Sequence, residues 1–383
     1  MVTSKSKVNS HSLIIHVSKL GSELAWFQEL ANHLSKQGYD QLFLTGISKS
    51  RTPISLSAGE EYSVIKSEER YKRGYVRILF KLIQVNLQRI RGEQSLCLSQ
   101  GHLESLLCLV LKKLFGFKYG IIHHIQPKFF SLLKVNHPVK GIIHEWIYLK
   151  YIKNADFIQC LSGKVLDELR NCNVDERKIF HSGPGLNFNL VNQQFNKALV
   201  SDNSSDLRFR LIMIGRLSWE KNYLYALEVI NELVKMDNRV FVSIYGSGSM
   251  FGVINERIKS LKLQDNVILF GYSHEVLSEL NRSGALLHFS ETESYGQVFI
   301  EAALMQVPII STDVGIIGEL LTQSDCQVTI LNNRDALLDA ETIYSTITSL
   351  NVNFDREFSP QHFRSHEVSF VFNELSKFIG RLV

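Results

Sequence analysis

Leu211-Ile212-Met213-Ile214-Gly215-Arg216-Leu217-Ser218-Trp219-Glu220-Lys221-Asn222 is the stretch from which the rest of the chain can be read. A short, continuous apolar run closed by a glycine reads as a strand buried on both faces, the habit of parallel sheets. Gly215 permits a sharp turn at the strand's end, and a helical pattern follows. Arg216 and Lys221 then stand beside a helix N-terminus, where an anion is favoured. A guanidinium fork with an ammonium point charge suits a diphosphate leaving group, whose negative charge grows as its bond breaks. The plainer reading is two surface cations on a strand-to-helix loop.

Working outward, the same strand–helix alternation recurs on both sides. Downstream, strands are expected at Val240 to Tyr245, Val267 to Phe270, Leu286 to Phe289 and Pro308 to Ser311, with helices between them and a last helical segment from about Pro360 to Ile379. Upstream, Leu13 to Val17 reads as a strand followed by a helix from about Glu23 to Lys36. Its apolar positions Leu24, Phe27, Leu30, Ala31 and Leu34 keep the 3.6-residue period. Further pairs fall at Gln41 to Thr45, Ser95 to Ser99 with Leu103 to Phe115, Tyr119 to His124, and Phe157 to Leu161 with Gly163 to Arg170. The polar run Ser201-Asp202-Asn203-Ser204-Ser205-Asp206 fits neither period and reads as a linker. Three segments are therefore expected: an N-terminal α/β domain over 1–200, a second over 201–358, and a C-terminal helix over 359–383 that crosses back to the first. Two such parallel sheets, Rossmann-like in build, would face each other across a cleft lined by loops at the strand C-termini.

Two further constellations carry chemistry. Glu291-Thr292-Glu293-Ser294-Tyr295-Gly296-Gln297-Val298-Phe299-Ile300-Glu301 follows the strand ending near Phe289. Glu293 falls in the loop and Glu301 one turn inside the next helix, where carboxylates can accept hydrogen bonds from ribose or hexose hydroxyls. Gly296 lets backbone N–H groups approach a phosphate at the helix start. Taken without context, the pair also fits an ordinary helix-start acid plus a solvated one. Tyr245-Gly246-Ser247-Gly248 resembles the start of a dinucleotide fingerprint, but Phe251 occupies the third glycine's place. It reads as a strand-end turn, with Gly246 able at most to line a nucleotide pocket.

The order of these motifs, followed by Pro308-Ile309-Ile310-Ser311-Thr312-Asp313-Val314-Gly315 and Glu319, resembles glycosyltransferase family 4 over nearly all of residues 205–380. Weaker echoes in the first half are Glu29 to Tyr39 and Ala155-Asp156-Phe157-Ile158-Gln159-Cys160-Leu161-Ser162. The resemblance implies a GT-B fold and a retaining, metal-independent transferase with no cofactor beyond its nucleotide-diphosphate sugar donor. By the same resemblance Arg216 and Lys221 match the diphosphate clamp, Glu293 the glutamate near the transferred sugar, and Glu301 the one that binds the ribose. Gly215 belongs to the clamp's turn, and Ser294, Tyr295, Gly296, Gln297 and Val298 occupy the loop whose backbone amides meet sugar and phosphate. A strand-end histidine in the first domain contacts the donor sugar in this family, and both His123 and His124 fit that place. The glycine pair usual after the first strand is here Leu20-Gly21-Ser22, so Gly21 alone stands for its phosphate or acceptor contact. Retention without a nucleophile placed by the sequence points to a front-face reaction, in which the leaving diphosphate oxygen takes the acceptor's proton.

Composition narrows partners and compartment. Of 383 residues, 45% are apolar and 21% charged, the make-up of a globular chain. No run approaches the ~18 apolar residues of a membrane span, and no secretory signal is expected at the start. The five scattered cysteines fit a reducing, cytoplasmic setting. The net charge of +4 divides unevenly, since residues 1–200 carry 27 Lys+Arg against 15 Asp+Glu and the remainder is acidic. The basic half, with the aromatic and cationic segments Glu68 to Ile83 and Lys128 to Lys134, suits a lipid-linked glycan acceptor or peripheral contact with an anionic membrane face. Core-facing aromatics with solvated lysines would look the same. No nucleic-acid partner is expected, as no such signature accompanies the charge. The function expected is transfer of a hexose or N-acetylhexosamine to a glycan acceptor in surface polysaccharide synthesis. The alternatives are a non-catalytic GT-B subunit that binds a partner transferase or glycan, and a GT-B nucleotide-sugar epimerase.

Overall fold

The structure is a computed structural model that describes residues 13–19, 23–46, 62–67, 95–122, 127–198, 209–323, 325–332, 334–350 and 356–382. The chain divides into two compact units, one formed by 1–161, 165–184 and 369–383, the other by 162–164 and 185–368.

Unit 1 is built on a seven-stranded sheet. Along the chain run β1 (Leu13–Lys19), α1 (Glu23–Ser35), β2 (Asp40–Gly46), β3 (Tyr62–Ser67), β4 (Ser95–Ser99), α2 (His102–Phe115) and β5 (Lys118–Ile121). They are followed by α3 (Pro127–Asn136), α4 (Pro138–Asn154), β6 (Phe157–Cys160), α5 (Gly163–Asn171) and β7 (Ile179–His181). The strands lie in the order β3-β2-β1-β4-β5-β6-β7 and every pairing is parallel. Leu30, Ala31 and Leu34 of α1 are buried, as the helical period requires.

Unit 2 repeats the plan. Its elements are α6 (Phe188–Ala198), β8 (Arg210–Ile214), α7 (Tyr223–Met236), β9 (Phe241–Tyr245), α8 (Phe251–Ser260), β10 (Val267–Gly271), α9 (Val276–Asn281) and β11 (Ala285–His288). They continue with α10 (Gln297–Leu304), β12 (Ile309–Thr312), α11 (Ile317–Gln323), β13 (Val328–Leu331) and α12 (Ala336–Ser349). The parallel order is β10-β9-β8-β11-β12-β13. Numbered within each unit, both sheets begin third, second, first, fourth, fifth, sixth, the doubly wound Rossmann order. Leu211, Ile212 and Met213 of the apolar run at 211–214 are buried in the sheet, and α7 packs Ala226, Leu227, Ile230 and Leu233 into the same core.

The last helix, α13 (Val368–Gly380), belongs almost wholly to unit 1. Phe372 meets Trp26 edge-on at 5.2 Å, and Phe378 packs against Phe157 and Phe180 at 5.5 Å each. The boundary expected at 200/201 is displaced: α6, assigned by sequence to the first half, packs on α9 of unit 2. Periodicity gives no reason to end a domain at Pro184, and only tertiary packing reveals it. The polar run 201–206 and the basic stretch 68–83 lie outside the described residues, as do Gly21, His123 and His124.

Candidate functional site in unit 2

Ligands of doubly wound sheets bind where the strand order reverses, because the two loops there diverge and leave a crevice. In unit 2 that reversal lies between β8 and β11. The loop after β8 carries Gly215 to Asn222 and the loop after β11 carries Phe289 to Gly296, so the two motifs read from sequence become neighbours.

They are stitched through main chain and side chain. The Glu291 amide donates to the Glu220 carbonyl at 2.8 Å, and Asn222 Nδ2 donates to Glu291 Oε1 at 3.0 Å. Arg334 clamps the same Glu291 carboxylate with two nitrogens, at 2.7 and 3.2 Å. The Tyr245-Gly246-Ser247-Gly248 turn seals the other side. Gly215 N donates to Tyr245 O and Leu217 N to Ser247 O, both at 3.0 Å. A Cβ on Gly246 would sit 1.8 Å from Gly215 O, and one on Gly248 2.2 Å from Leu217 O. What is visible at these glycines is a backbone-on-backbone approach that only glycine allows.

The centre of the site is Glu293. Lys221 Nζ and His288 Nε2, the latter at 3.1 Å, both donate to its Oε1, and all three side chains are largely buried. Burial alone would raise the Glu293 carboxyl. The His288 hydrogen bond and the Lys221 charge outweigh it and hold the group at about 2. The same burial pushes the His288 imidazole below its usual value, only partly opposed by Glu293. At neutral pH the trio is thus an ammonium, a carboxylate and a neutral imidazole that donates from Nε2. His288 Nδ1 is left buried without a hydrogen-bond partner, while the ring stands edge-on to Phe299 at 4.8 Å.

Around this centre the remaining predicted residues take distinct places. Arg216 is exposed and makes no ion pair among the described residues, so its fork is open to a ligand. Gly296, at φ 85°, precedes α10, which has no side-chain cap and no acid in its first turn. The amides of Gln297 and Val298 at that helix start are therefore suited to an anion. Glu301 lies one turn on, half-buried, with Gln297 Nε2 donating to it at 3.2 Å, and burial raises its carboxyl to about 7. Tyr295 turns inward: its ring is buried and its hydroxyl meets His366 Nδ1 at 2.7 Å. What Tyr295 and Ser294 offer the loop is main chain, and Ser294 O already accepts from Ser162 Oγ at 2.9 Å. Glu319 accepts from Gly163 N at 2.7 Å. Among the described residues no group of three or more His, Cys, Asp or Glu side chains is placed to hold a metal ion.

Two residues of the centre went unread in the sequence. His288 sits in the apolar run Ala285-Leu286-Leu287-His288-Phe289 and was absorbed into the strand; a polar residue at the end of a central buried strand was the available signal. Glu291 was seen only as part of the motif, and nothing local announces its partner Arg334.

The comparisons with known proteins agree with this architecture. Residues 197–345 match the family described as glycosyl transferases group 1. The chain is 25% identical over 195 residues to the poly(glycerol-phosphate) alpha-glucosyltransferase of Bacillus subtilis, covering 51% of this chain and 27% of that protein. Its matches to the first curated relatives span from 22% to 56% of their length. Among solved structures it resembles sucrose-phosphate synthase from Thermosynechococcus elongatus, with a TM-score of 0.75 at 14% identity over 97% of this chain and 99% of that one. It also resembles Anabaena Alr3699/HepE in complex with UDP, with a TM-score of 0.68 at 13% identity over 96% and 99%. The fold is GT-B.

Proposed function

We propose that the chain is a retaining, metal-independent glycosyltransferase of the family 4 type that takes a hexose or N-acetylhexosamine from a nucleotide-diphosphate sugar. The observation that carries the reading is the cluster at the β8/β11 reversal. Arg216, exposed and without an ion pair among the described residues, shares a loop with Lys221, which is already oriented by an ionised Glu293, and an uncapped helix start follows Glu293 along the chain. An incoming diphosphate meets a fixed cation, a second cation free to fork onto it, and backbone N–H groups. Such preorganised charge lowers the barrier to diphosphate departure without reorganisation during the step. The neutral His288 fixes Glu293 from behind, so that carboxylate faces the sugar as a hydrogen-bond acceptor. In the proposed front-face reaction the departing oxygen takes the acceptor hydroxyl's proton, and the chain's part is to position and to stabilise charge.

The acceptor is proposed to be a glycan on a lipid carrier, and the setting the cytoplasm, with peripheral contact at the inner membrane face in surface polysaccharide assembly. The relative named a poly(glycerol-phosphate) alpha-glucosyltransferase supports a polymeric acceptor, and the solved neighbour in complex with UDP supports a nucleoside diphosphate donor. The described part of the chain has no helix long and apolar enough to cross a membrane.

Thermal unfolding with UDP, GDP, ADP and CMP tests the donor site. A ligand that binds the folded state alone raises the melting temperature by mass action, about 2.7 kcal/mol at a hundredfold excess over Kd. One nucleoside diphosphate should raise it for the wild type and fail to do so for Arg216→Ala and Lys221→Ala. No shift with any nucleotide would defeat the proposal and favour a non-catalytic GT-B subunit.

A further inference from the structure

In unit 1, α3 and α4 form a tight antiparallel hairpin. Gly141 makes the closest approach: a Cβ there would lie 2.5 Å from Lys134 Cα, and Lys134 pairs with Glu145 across the two helices. The inner face of α4 is fully used, with Tyr148, Tyr151 and Ile152 buried in the core beside Phe130 and Tyr119. A helix so anchored should present polar residues outward. Instead Val139 (73% exposed), Ile142 (58%), Ile143 (53%) and Trp146 (62%) recur at three- and four-residue spacing along the outer face, with Val135 at the end of α3 (79%) extending the patch. Contiguous apolar surface of this kind is uncommon on a chain that meets only water.

Charge completes the pattern. The same outer face continues into exposed Lys150 and Lys153, and Lys140 and Lys128 flank it. Lys150 Nζ lies 5.5 Å from the Trp146 ring centroid, which ties the cationic end to the apolar end. Over residues 127–154 five lysines face a single acid, Glu145, and that one is paired within the hairpin. Val, Ile and Trp in a stripe bordered by lysines is the chemistry of an interfacial helix. A protein partner for so apolar a face would need no such cationic border, whereas lipid phosphates would.

We propose that the outer face of α4, with Val135, is a docking surface for an anionic lipid bilayer. Val139, Ile142, Ile143 and Trp146 enter the headgroup–acyl boundary, and Lys150 and Lys153 rest on the phosphates. The surface gives a physical basis to the peripheral membrane contact proposed above, but it stands on the hairpin itself and does not require the donor site.

The full chain, mixed with phosphatidylcholine vesicles containing 0 or 30% phosphatidylglycerol, provides the test by flotation. Wild type should float with the anionic vesicles, more weakly in 0.5 M salt and weakly with neutral ones, and its tryptophan emission should shift to the blue in a way Trp146→Phe removes. Ile142→Glu with Trp146→Glu should reduce partitioning at least tenfold while keeping the wild-type melting temperature and nucleotide response, which separates loss of docking from loss of fold or donor site. The proposal is overturned if wild type binds no vesicle, or if the double variant binds as well as wild type. It is equally overturned if sedimentation shows a wild-type dimer that the double variant converts to monomer, since the face then belongs to a second copy of the chain.

Discussion

Units 1 and 2 share one strand order and differ in what they place at its reversal. In unit 2 the loops after β8 and β11 bring together an ammonium, a carboxylate and an imidazole, and the first of those loops also carries the exposed Arg216 guanidinium. In unit 1 the end of β4 buries Ser99 and Gln100, and Ser99 spends its hydroxyl on Ser105 Oγ at 3.0 Å and Gly120 O at 3.3 Å. One reversal carries charge held for a ligand; at the other, the described end of β4 is knitted into its own helix start. The topology supplies a crevice in each case; side chains decide whether it is a site. The outer surfaces contrast in the opposite sense, since the exposed apolar stripe along α4 lies in unit 1.

The largest effect that would break this comparison lies at Lys221. Lys221→Ala leaves Glu293 buried with only His288 beside it and removes the fixed cation from the departing diphosphate. A loss of about 10³-fold in kcat/KM is expected in a sugar-transfer assay; a loss below tenfold would mean that the reversal in unit 2 is not the donor site.

Next comes the glycine seam. Gly246→Ala drives a methyl group into Gly215 O, which is backbone and cannot rotate away, so destabilisation of about 3 kcal/mol and loss of the nucleotide response should appear together in denaturant melts. Gly252, in α8, meets nothing within 4 Å, and Gly252→Ala should stabilise by about 0.4–1 kcal/mol through the unfolded chain. Equal behaviour of the two variants would show that the seam is looser than its geometry implies.

Glu301 sharpens the comparison through pH. Its carboxyl is raised from an ordinary 4.5 to about 7, so the folded state holds that proton more tightly than the unfolded one. The stability this contributes is complete below about pH 4 and is lost as pH rises through 7. Glu301→Gln, which has no proton to lose, should match wild type at pH 4 and exceed it by about 1–3 kcal/mol at pH 8. Its nucleoside diphosphate affinity should nevertheless fall, because the amide no longer accepts two hydroxyl protons. Parallel pH–stability curves for the two proteins would remove Glu301 from the buried site.

Much of unit 2 was open to reading from the sequence because its information is local. Leu211, Ile212 and Met213 are buried, and Arg216, Lys221, Glu293 and Glu301 sit at fixed distances from strand ends that apolar runs announce. Where the signal was thinner the reading lapsed. Neither β7 nor β13 was read as a strand, for each is short and only partly buried, without the unbroken apolar run of a central strand. The Tyr295 hydroxyl meets His366, a pairing 71 residues apart that no local pattern encodes.

Sequence by itself determined the parallel α/β architecture, the repeated plan and the residue types beside each strand end. Periodicity and turn chemistry are properties of neighbours along the chain. Only the tertiary structure decided that Lys221 and Glu293, 72 residues apart, share a hydrogen bond, that His288 closes the trio, and that α4 turns an apolar stripe to solvent. Those outcomes depend on which strands lie side by side and which helix face the core has already filled, and such choices are made by packing across the whole unit.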